Sequence, residues 1–391
     1  MKNSTNKFWQ ELENRFGKPH SDVISKFGAS YFNGIKGWQY RQNELENANK
    51  ENKLITMDLD FPGNTCELDC IYCFAKAGEK TGTYYRPGEG SKPISLKEIK
   101  QYLLEAKKIG LKSIKIIGFR EPFDNPNFYN FIDFAAKQDL HVVIFTSGYT
   151  LGEEEFGGDL KSALNFLAER PVSLMLKLHT LNKTQEDKIV RSKGYSNKRD
   201  LYLNALLEDG RFISQPQTRL GIENVISSKN ITELLNIYEY FKIWRNVFVD
   251  LDPPIPIGRT GTLEEAQKAG LLPEDKLKEL CVKTYLINKK FKIPFRGISP
   301  YFGGDPCTQL TNGLYITVSG KVMTCCGGDE EIGNIRTDSI EEIFERNPHR
   351  NKKQIFHNCP YRQKKGIMTQ EFIADVEKLI ESEYQRWKIK H

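Results

Sequence analysis

Apolar and polar positions follow two alternating patterns between residues 54 and 251. Short β-branched runs, typical of buried strands, are separated by longer stretches with apolar residues at helical spacing. The strand pattern predicts six strands, at Leu54–Phe61, Ser113–Gly118, His141–Thr146, Val172–Leu178, Thr218–Ile226 and Val247–Leu251. The helical pattern predicts the intervening helices Ser95–Ile109, Asn127–Lys137, Leu160–Glu169, Lys198–Leu207 and Ile231–Lys242. This order predicts a parallel sheet built of βαβ units.

The pattern changes on both sides of this repeat. The preceding residues are mostly polar and charged, and after the repeat Leu314–Val318 and Lys321–Thr324 flank a Ser-Gly pair that is typical of a hairpin turn. We therefore predict an N-terminal extension over residues 1–53, an α/β core over 54–300 and a C-terminal unit over 301–391.

Composition and charge narrow the class of protein. The chain has 391 residues, 39% of them hydrophobic, which is enough for a sizeable core. Its net charge of +6 is mild for this length and does not indicate nucleic-acid binding. No apolar run approaches the roughly 20 residues of a membrane span, and residues 1–16 lack the apolar segment of a signal peptide. We expect a cytoplasmic protein with no membrane partner, and its charge does not favour a nucleic-acid partner.

The eight cysteines are clustered, which favours metal or redox chemistry over disulfides in a cytosolic chain. Cys66, Cys70 and Cys73 lie within eight residues of one another. Thiolates are the usual ligands of [4Fe–4S] clusters, and three of them leave one iron open to a small molecule. A structural zinc site is the alternative, although no fourth Cys or His follows within twenty residues.

The segment from Cys66 to Cys73 resembles the cluster-binding loop of the radical S-adenosylmethionine (SAM) superfamily. The resemblance implies that Cys66, Cys70 and Cys73 hold three irons of a [4Fe–4S] cluster, that SAM chelates the fourth, and that Tyr72 packs near the adenine. It implies an electron donor of the flavodoxin or ferredoxin kind. It also implies reductive cleavage of SAM to a 5′-deoxyadenosyl radical that abstracts hydrogen from a substrate. The fold expected from the resemblance and from the strand pattern is α/β, a partial (β/α)6 TIM-like barrel of parallel strands with a small C-terminal β-hairpin and helical cluster-binding extension.

Polar residues at the carboxyl ends of the predicted strands are the next site candidates, because that face of an α/β barrel holds the active site. Gly118-Phe119-Arg120-Glu121-Pro122 resembles the family's GGEP motif, which contacts the SAM amino group. The predicted cofactor contacts besides Tyr72 are Gly118, Glu121, Pro122, Ser147 and Lys177. The candidates for acid–base catalysis are Glu223, His179 and Asp252.

A second cysteine group follows the core. The spacing C-x12-G-x4-C from Cys307 to Cys325 resembles the SPASM and twitch extensions of radical SAM enzymes. The resemblance implies one auxiliary [4Fe–4S] cluster held by Cys307, Cys325 and Cys359. The fourth ligand stays open: it is either Cys326, which is adjacent to Cys325, or an external molecule on an open iron. Structural zinc is again the alternative.

The sequence thus predicts a radical SAM oxidoreductase or maturase-type enzyme that acts on a small molecule or a peptide. A nucleotide- or RNA-modifying enzyme with the same core is the alternative, supported by residues 346–366, which contain seven Lys or Arg and no acid. A zinc-stabilised binding protein is a more remote alternative. The sequence does not identify the substrate, the reaction outcome or the oligomeric state.

Overall fold

The computed structural model describes residues 6–63, 66–73, 92–118, 120–254, 258–294, 307–328, 330–350 and 359–390. Three helices precede the sheet: α1 (Lys7–Phe16), α2 (Val23–Phe27) and α3 (Gln42–Lys50). The repeat then runs β1 (Thr56–Asp60), α4 (Leu96–Lys108), β2 (Ser113–Gly118), α5 (Phe128–Lys137), β3 (His141–Thr146), α6 (Glu153–Phe156), α7 (Leu160–Ala168), β4 (Val172–Lys177), α8 (Lys183–Val190), α9 (Tyr195–Asp209), β5 (Leu220–Val225), α10 (Leu234–Tyr238) and β6 (Phe248–Asp252).

The C-terminal part is helical around three short strands. Its elements are α11 (Leu263–Lys268), α12 (Glu274–Lys290), α13 (Gln309–Asn312), β7 (Gly313–Ile316), β8 (Lys321–Met323), β9 (Glu331–Asn334), α14 (Ile340–Glu345), α15 (Pro360–Lys364) and α16 (Gln370–Lys390). No helix in the described part of the chain is long and apolar enough to cross a membrane.

One sheet contains all the described strands, in the order β6-β5-β4-β3-β2-β1-β7-β8-β9. Strands β1 to β6 are parallel and the sheet stays open, which confirms the predicted partial barrel. β7 pairs in parallel with β1, and β8 and β9 follow it antiparallel. The predicted hairpin is therefore present as β7 and β8, and it extends the barrel sheet. The predicted division of the chain at residue 301 stays a prediction.

The two faces of the parallel strands explain the apolar patterns. In β3, Val142 and Ile144 belong to the main core beneath the helices, whereas Val143 packs in a smaller cluster with Ile35 and Trp38. The predicted helices begin and end close to the expected residues. The stretch predicted as Ile231–Lys242 differs, because α10 is short and continues as a π-helix over Glu239–Trp244.

The N-terminal region packs against the amino ends of barrel strands β3 and β5. Ile35 forms a parallel bridge with Thr218, just before β5. The Trp38 ring then lies 5.2 Å from Phe145 and 5.7 Å from Phe248, centroid to centroid. Gly37, the residue before Trp38, allows this segment to pass close to the start of β3, because a Cβ at Gly37 would lie 2.3 Å from the His141 ring. An N-terminal side chain thus reaches the inside of the barrel.

Candidate active site

A single cavity within the described residues opens among the carboxyl ends of the parallel strands and reaches both cysteine groups. The predicted site residues that line it are Cys66, Cys70, Tyr72, Cys73, Gly118, Glu121, Ser147, Lys177, Glu223, Asp252, Cys325, Cys326 and Cys359. Three predicted residues do not line it: Pro122, His179 and Cys307. Phe119 lies outside the described residues.

The first cysteine loop is fixed by backbone contacts to two neighbouring segments. The amides of Asp69 and Ile71 donate to carbonyls at the end of α8, at 2.9 and 3.0 Å. The Arg259 guanidinium donates to the carbonyls of Asp69 and Cys70, at 2.7 and 3.0 Å. Burial raises the pKa of Cys70 to about 12, and burial together with the charge of Glu67 raises the pKa of Cys66 to about 12. A bound cation reverses such a shift, because it favours the thiolate.

Tyr72 begins a buried chain of polar contacts, which we call the Tyr72 relay. Its hydroxyl contacts Nε2 of His179, whose Nδ1 lies 3.0 Å from Oε1 of Glu186. Arg199 Nη1 lies 3.4 Å from the same oxygen. The Tyr72 relay ends at Arg15 of α1, whose Nε lies 2.5 Å from Asp200, the partner of Arg199. His179 is therefore a fully buried partner of Tyr72, removed from the cavity wall.

Two carboxyl groups share one serine at the end of β3. The Ser147 hydroxyl contacts Glu67 and lies 2.8 Å from Oε2 of Glu121, whose Oε1 accepts from Thr146 at 2.5 Å. A hydroxyl has one hydrogen, so it donates to only one carboxylate at a time. Burial and the neighbouring Glu67 raise the pKa of Glu121 to about 7. This acidic pair suits a positively charged group, and the sequence analysis missed Glu67.

Charged residues at the ends of β4, β5 and β6 are mostly paired. Lys177 Nζ lies 2.8 Å from Oε2 of Glu223, so a predicted cofactor contact and a predicted catalytic residue neutralise each other. Asp252 forms an ion pair with Arg362 of α15. Burial, only partly offset by Arg362, raises the pKa of Asp252 to about 6. Asp250, two residues earlier, also lines the cavity and has an oxygen without a hydrogen-bond partner among the described residues.

The second cysteine group lies on the side of the cavity formed by the C-terminal strands. Cys325 and Cys326 follow β8, and their thiols contact each other. Burial, followed by the proximity of Cys325 and Cys359, raises the pKa of Cys307 to about 12. Cys307, Cys325 and Cys359 are therefore neighbours, and Cys326 stands beside them on the cavity wall.

The cavity floor contains residues that the sequence analysis did not select. Lys115 of β2 and Asp58 of β1 form a buried ion pair at 2.8 Å, and Lys115 Nζ lies 5.5 Å from the Trp38 ring. Both charged residues are inside strands, where a polar residue pointing into a barrel cannot be distinguished by local pattern from one facing solvent. Trp38 comes from the N-terminal region and carries no local signal at all.

Sequence profiles of two families match the chain. The profile of the radical SAM superfamily matches residues 61–207, and that of an iron–sulfur cluster-binding domain, SPASM, matches residues 307–368. A comparison with curated proteins finds no significant match. Among solved structures, Streptococcus suis SuiB bound to S-adenosylmethionine is similar, with 16% identity, a TM-score of 0.54, and coverage of 80% of this chain and 73% of SuiB. SuiB bound to its precursor peptide SuiA aligns at 14% identity and a TM-score of 0.47, over 78% of this chain and 68% of SuiB.

The residues present fit the groups that these families bind. Each profile covers one of the two cysteine groups, and each group consists of closely spaced thiols. Burial raises the pKa of Cys66 and Cys70 in the first group and of Cys307 and Cys359 in the second. The chain is thus a radical SAM enzyme with a C-terminal SPASM iron–sulfur extension.

Proposed function

We propose that this enzyme oxidises or cross-links a peptide side chain or a small molecule bound between two iron–sulfur clusters. The observation that carries the proposal is the single cavity, among the described residues, which both cysteine groups line. A substrate in this cavity would be adjacent to the group that starts the radical reaction and to a second group able to accept an electron. This arrangement supports a net oxidation.

In this proposal the first [4Fe–4S] cluster is held by Cys66, Cys70 and Cys73, and the auxiliary cluster by Cys307, Cys325 and Cys359. When bound, the first cluster and SAM supply one-electron cleavage of SAM and hydrogen abstraction from the substrate. The protein's own contribution is to hold the reactants in place and exclude water from a largely buried cavity.

Glu121 and Glu67 are proposed to receive the positively charged end of SAM. Both carboxyl groups are buried around Ser147, and neither has an ion-pair partner among the described residues. A cationic group beside them would remove the cost of burying two like charges. Elsewhere on the cavity wall, Lys177 Nζ lies 2.8 Å from Glu223, so this ion pair adds no net charge to the cavity.

The test is iron and sulfide analysis after anaerobic reconstitution, together with formation of 5′-deoxyadenosine from SAM and dithionite. The chain should bind about eight irons. A variant with Cys66, Cys70 and Cys73 all changed to alanine should bind about four and release no 5′-deoxyadenosine. Cys281→Ala is the matched control, because Cys281 is buried in α12 away from both groups. Zinc in place of iron, or unchanged cleavage in the triple variant, would refute the proposal.

RNA modification receives little support from the basic stretch that suggested it. Arg346 forms an ion pair with Asp338 at 2.7 Å, and Arg362 is buried against Asp252. Residues 351–358 lie outside the described part of the chain. At least two of the seven basic side chains therefore serve internal contacts, so we do not propose nucleic acid as the substrate.

A further inference from the structure

Asp250 is a buried carboxyl group that no step proposed above uses. It is 3% exposed, lies inside β6 and lines the cavity. Its Oδ1 has no hydrogen-bond partner in the described part of the chain, and Asp250 forms no ion pair there. Burying a carboxyl group in this state is costly, and unpartnered buried polar groups are rare.

The charged groups around Asp250 include both acids and bases, and none of the described bases forms a direct ion pair with it. Asp252 and Glu223 lie close enough to raise its pKa further, beyond the effect of burial, and each already has its own cation. Arg362 is bound to Asp252. Lys242, on the π-helix beside β6, lies near enough to lower the pKa of Asp250, as Arg362 does, but forms no ion pair with it. Its Nζ is buried, lies 5.1 Å from the Tyr238 ring and has no hydrogen-bond partner among the described residues.

Two further pairs of oppositely charged residues line the cavity. Lys115 and Asp58 form one pair at 2.8 Å, and Lys177 and Glu223 form another at 2.8 Å. Together with Arg362 and Asp252, these pairs cancel at this end of the cavity. Asp250 is then an acidic group on the cavity wall with which no described cation forms an ion pair. An anionic ligand group would meet repulsion there, and a neutral one would leave the carboxyl uncompensated.

We infer that Asp250 is a substrate-recognition residue that binds a cationic group, an ammonium or a guanidinium, on the part of the substrate that enters the cavity most deeply. This inference rests on the proposed function, because it assumes that the substrate occupies this cavity. A lysine or arginine side chain of a peptide and an aliphatic amine share this chemistry. The cation would complete the ion pair that Asp250 lacks among the described residues.

The test measures binding of Nα-acetyl-lysine methylamide to the reconstituted full chain with SAM present, by anaerobic calorimetry. Nα-acetyl-norleucine methylamide is the neutral probe with the same carbon chain. The lysine probe should bind at least about tenfold more tightly than the norleucine probe, and Asp250→Asn should abolish this preference. Asp60→Asn is the matched control, because Asp60 is an equally buried carboxyl group that does not line the cavity.

The outcomes separate this inference from the proposed function. Asp250→Asn should still release 5′-deoxyadenosine from SAM and should not have a lower melting temperature, because asparagine removes an unpaired buried carboxyl. Equal binding of the two probes to the unchanged protein, or a lysine preference that survives Asp250→Asn, would overturn the inference. If the unchanged protein does not cleave SAM, the proposed function is overturned instead, whichever probe binds.

Discussion

Buried carboxyl groups are the main electrostatic feature at the scale of single residues. Asp60, Glu121 and Asp250 are each enclosed by protein, and burial raises the pKa of each above its ordinary value. Above about pH 4 the unfolded chain has released the proton that such a group keeps in the folded state. The folded protein therefore loses stability as the pH rises from about 4 towards the raised pKa.

Asp60→Asn should remove part of this pH dependence. The pKa of Asp60 is raised to about 7, mainly by burial, and its Oδ2 accepts from the Tyr315 hydroxyl at 2.6 Å, which an asparagine oxygen can also do. The unfolding free energy of the metal-free variant should fall less steeply between about pH 4 and 7, by at most a few kcal/mol in total. Urea denaturation at several pH values measures it. An unchanged slope would contradict the assignment.

Cys326→Ser and Cys359→Ser should differ in iron content. Cys359 is a neighbour of Cys307 and Cys325. Cys326 directly follows Cys325 in the sequence, and we expect that two adjacent residues seldom bind the same cluster. Cys359→Ser should lose about four of about eight irons, and Cys326→Ser should keep nearly all. Loss of four irons in Cys326→Ser would identify it as the fourth ligand.

At the scale of elements, the turn between β7 and β8 positions the second cysteine group. Gly320 has a φ of +87°, and its amide donates to the Thr317 carbonyl at 2.9 Å. A Cβ at Gly320 would lie 3.0 Å from Ile335, at the end of β9. The glycine is thus required both by its backbone conformation and by close packing.

Gly320→Ala should destabilise the protein more than Gly366→Ala. Gly366 has a φ of +76°, but a Cβ there would meet no other described atom within 4 Å, so its substitution carries only the backbone penalty, about 1 kcal/mol. Gly320→Ala should add a contact penalty to this value. Melting temperatures of the two variants provide the comparison, and equal losses would show that Ile335 yields without cost.

The elements were predictable because their patterns are local. β2 and β3 begin and end at the predicted residues, since their buried β-branched runs are bounded by clear turns. The cysteine groups were also recognisable from spacing, although their roles stay predictions. Asp58 was not predicted as a site residue, because an acidic residue in β1 only weakened the strand pattern. Its inward orientation depends on strand pairing, which residues far apart in sequence determine.

At the scale of the whole molecule, the C-terminal part is joined to the barrel at several separate places. β7 pairs with β1, and Nε of Arg336, just after β9, lies 3.0 Å from Glu98 of α4. The Arg362–Asp252 ion pair joins the helix after Cys359 to the end of β6. Both cysteine groups are therefore held on one continuous framework.

Arg362→Gln should destabilise the protein, and adding Asp252→Asn should restore most of the loss. Arg362 is 4% exposed and the Asp252 side chain is 25% exposed, so removal of Arg362 leaves a half-buried carboxylate without its cation, at a lower cost than in a fully buried pair. Removing one partner of a buried pair typically costs roughly 3–5 kcal/mol, whereas removing both costs much less. Urea denaturation of the single and double variants measures the difference. Additive losses would contradict a direct interaction between the two side chains.

The Tyr72 relay connects the first cysteine loop, which we propose to bind iron, to the first helix through contacts that are buried or part-buried. Two coupled equilibria influence each other equally. If metal binding stabilises the ordered state of α1 by some free energy, the ordered α1 strengthens metal binding by the same free energy. Weakening Arg15, far along the chain from any cysteine, would then lower the protein's affinity for iron. The first helix would thus contribute to the affinity for the metal although it contains no metal ligand.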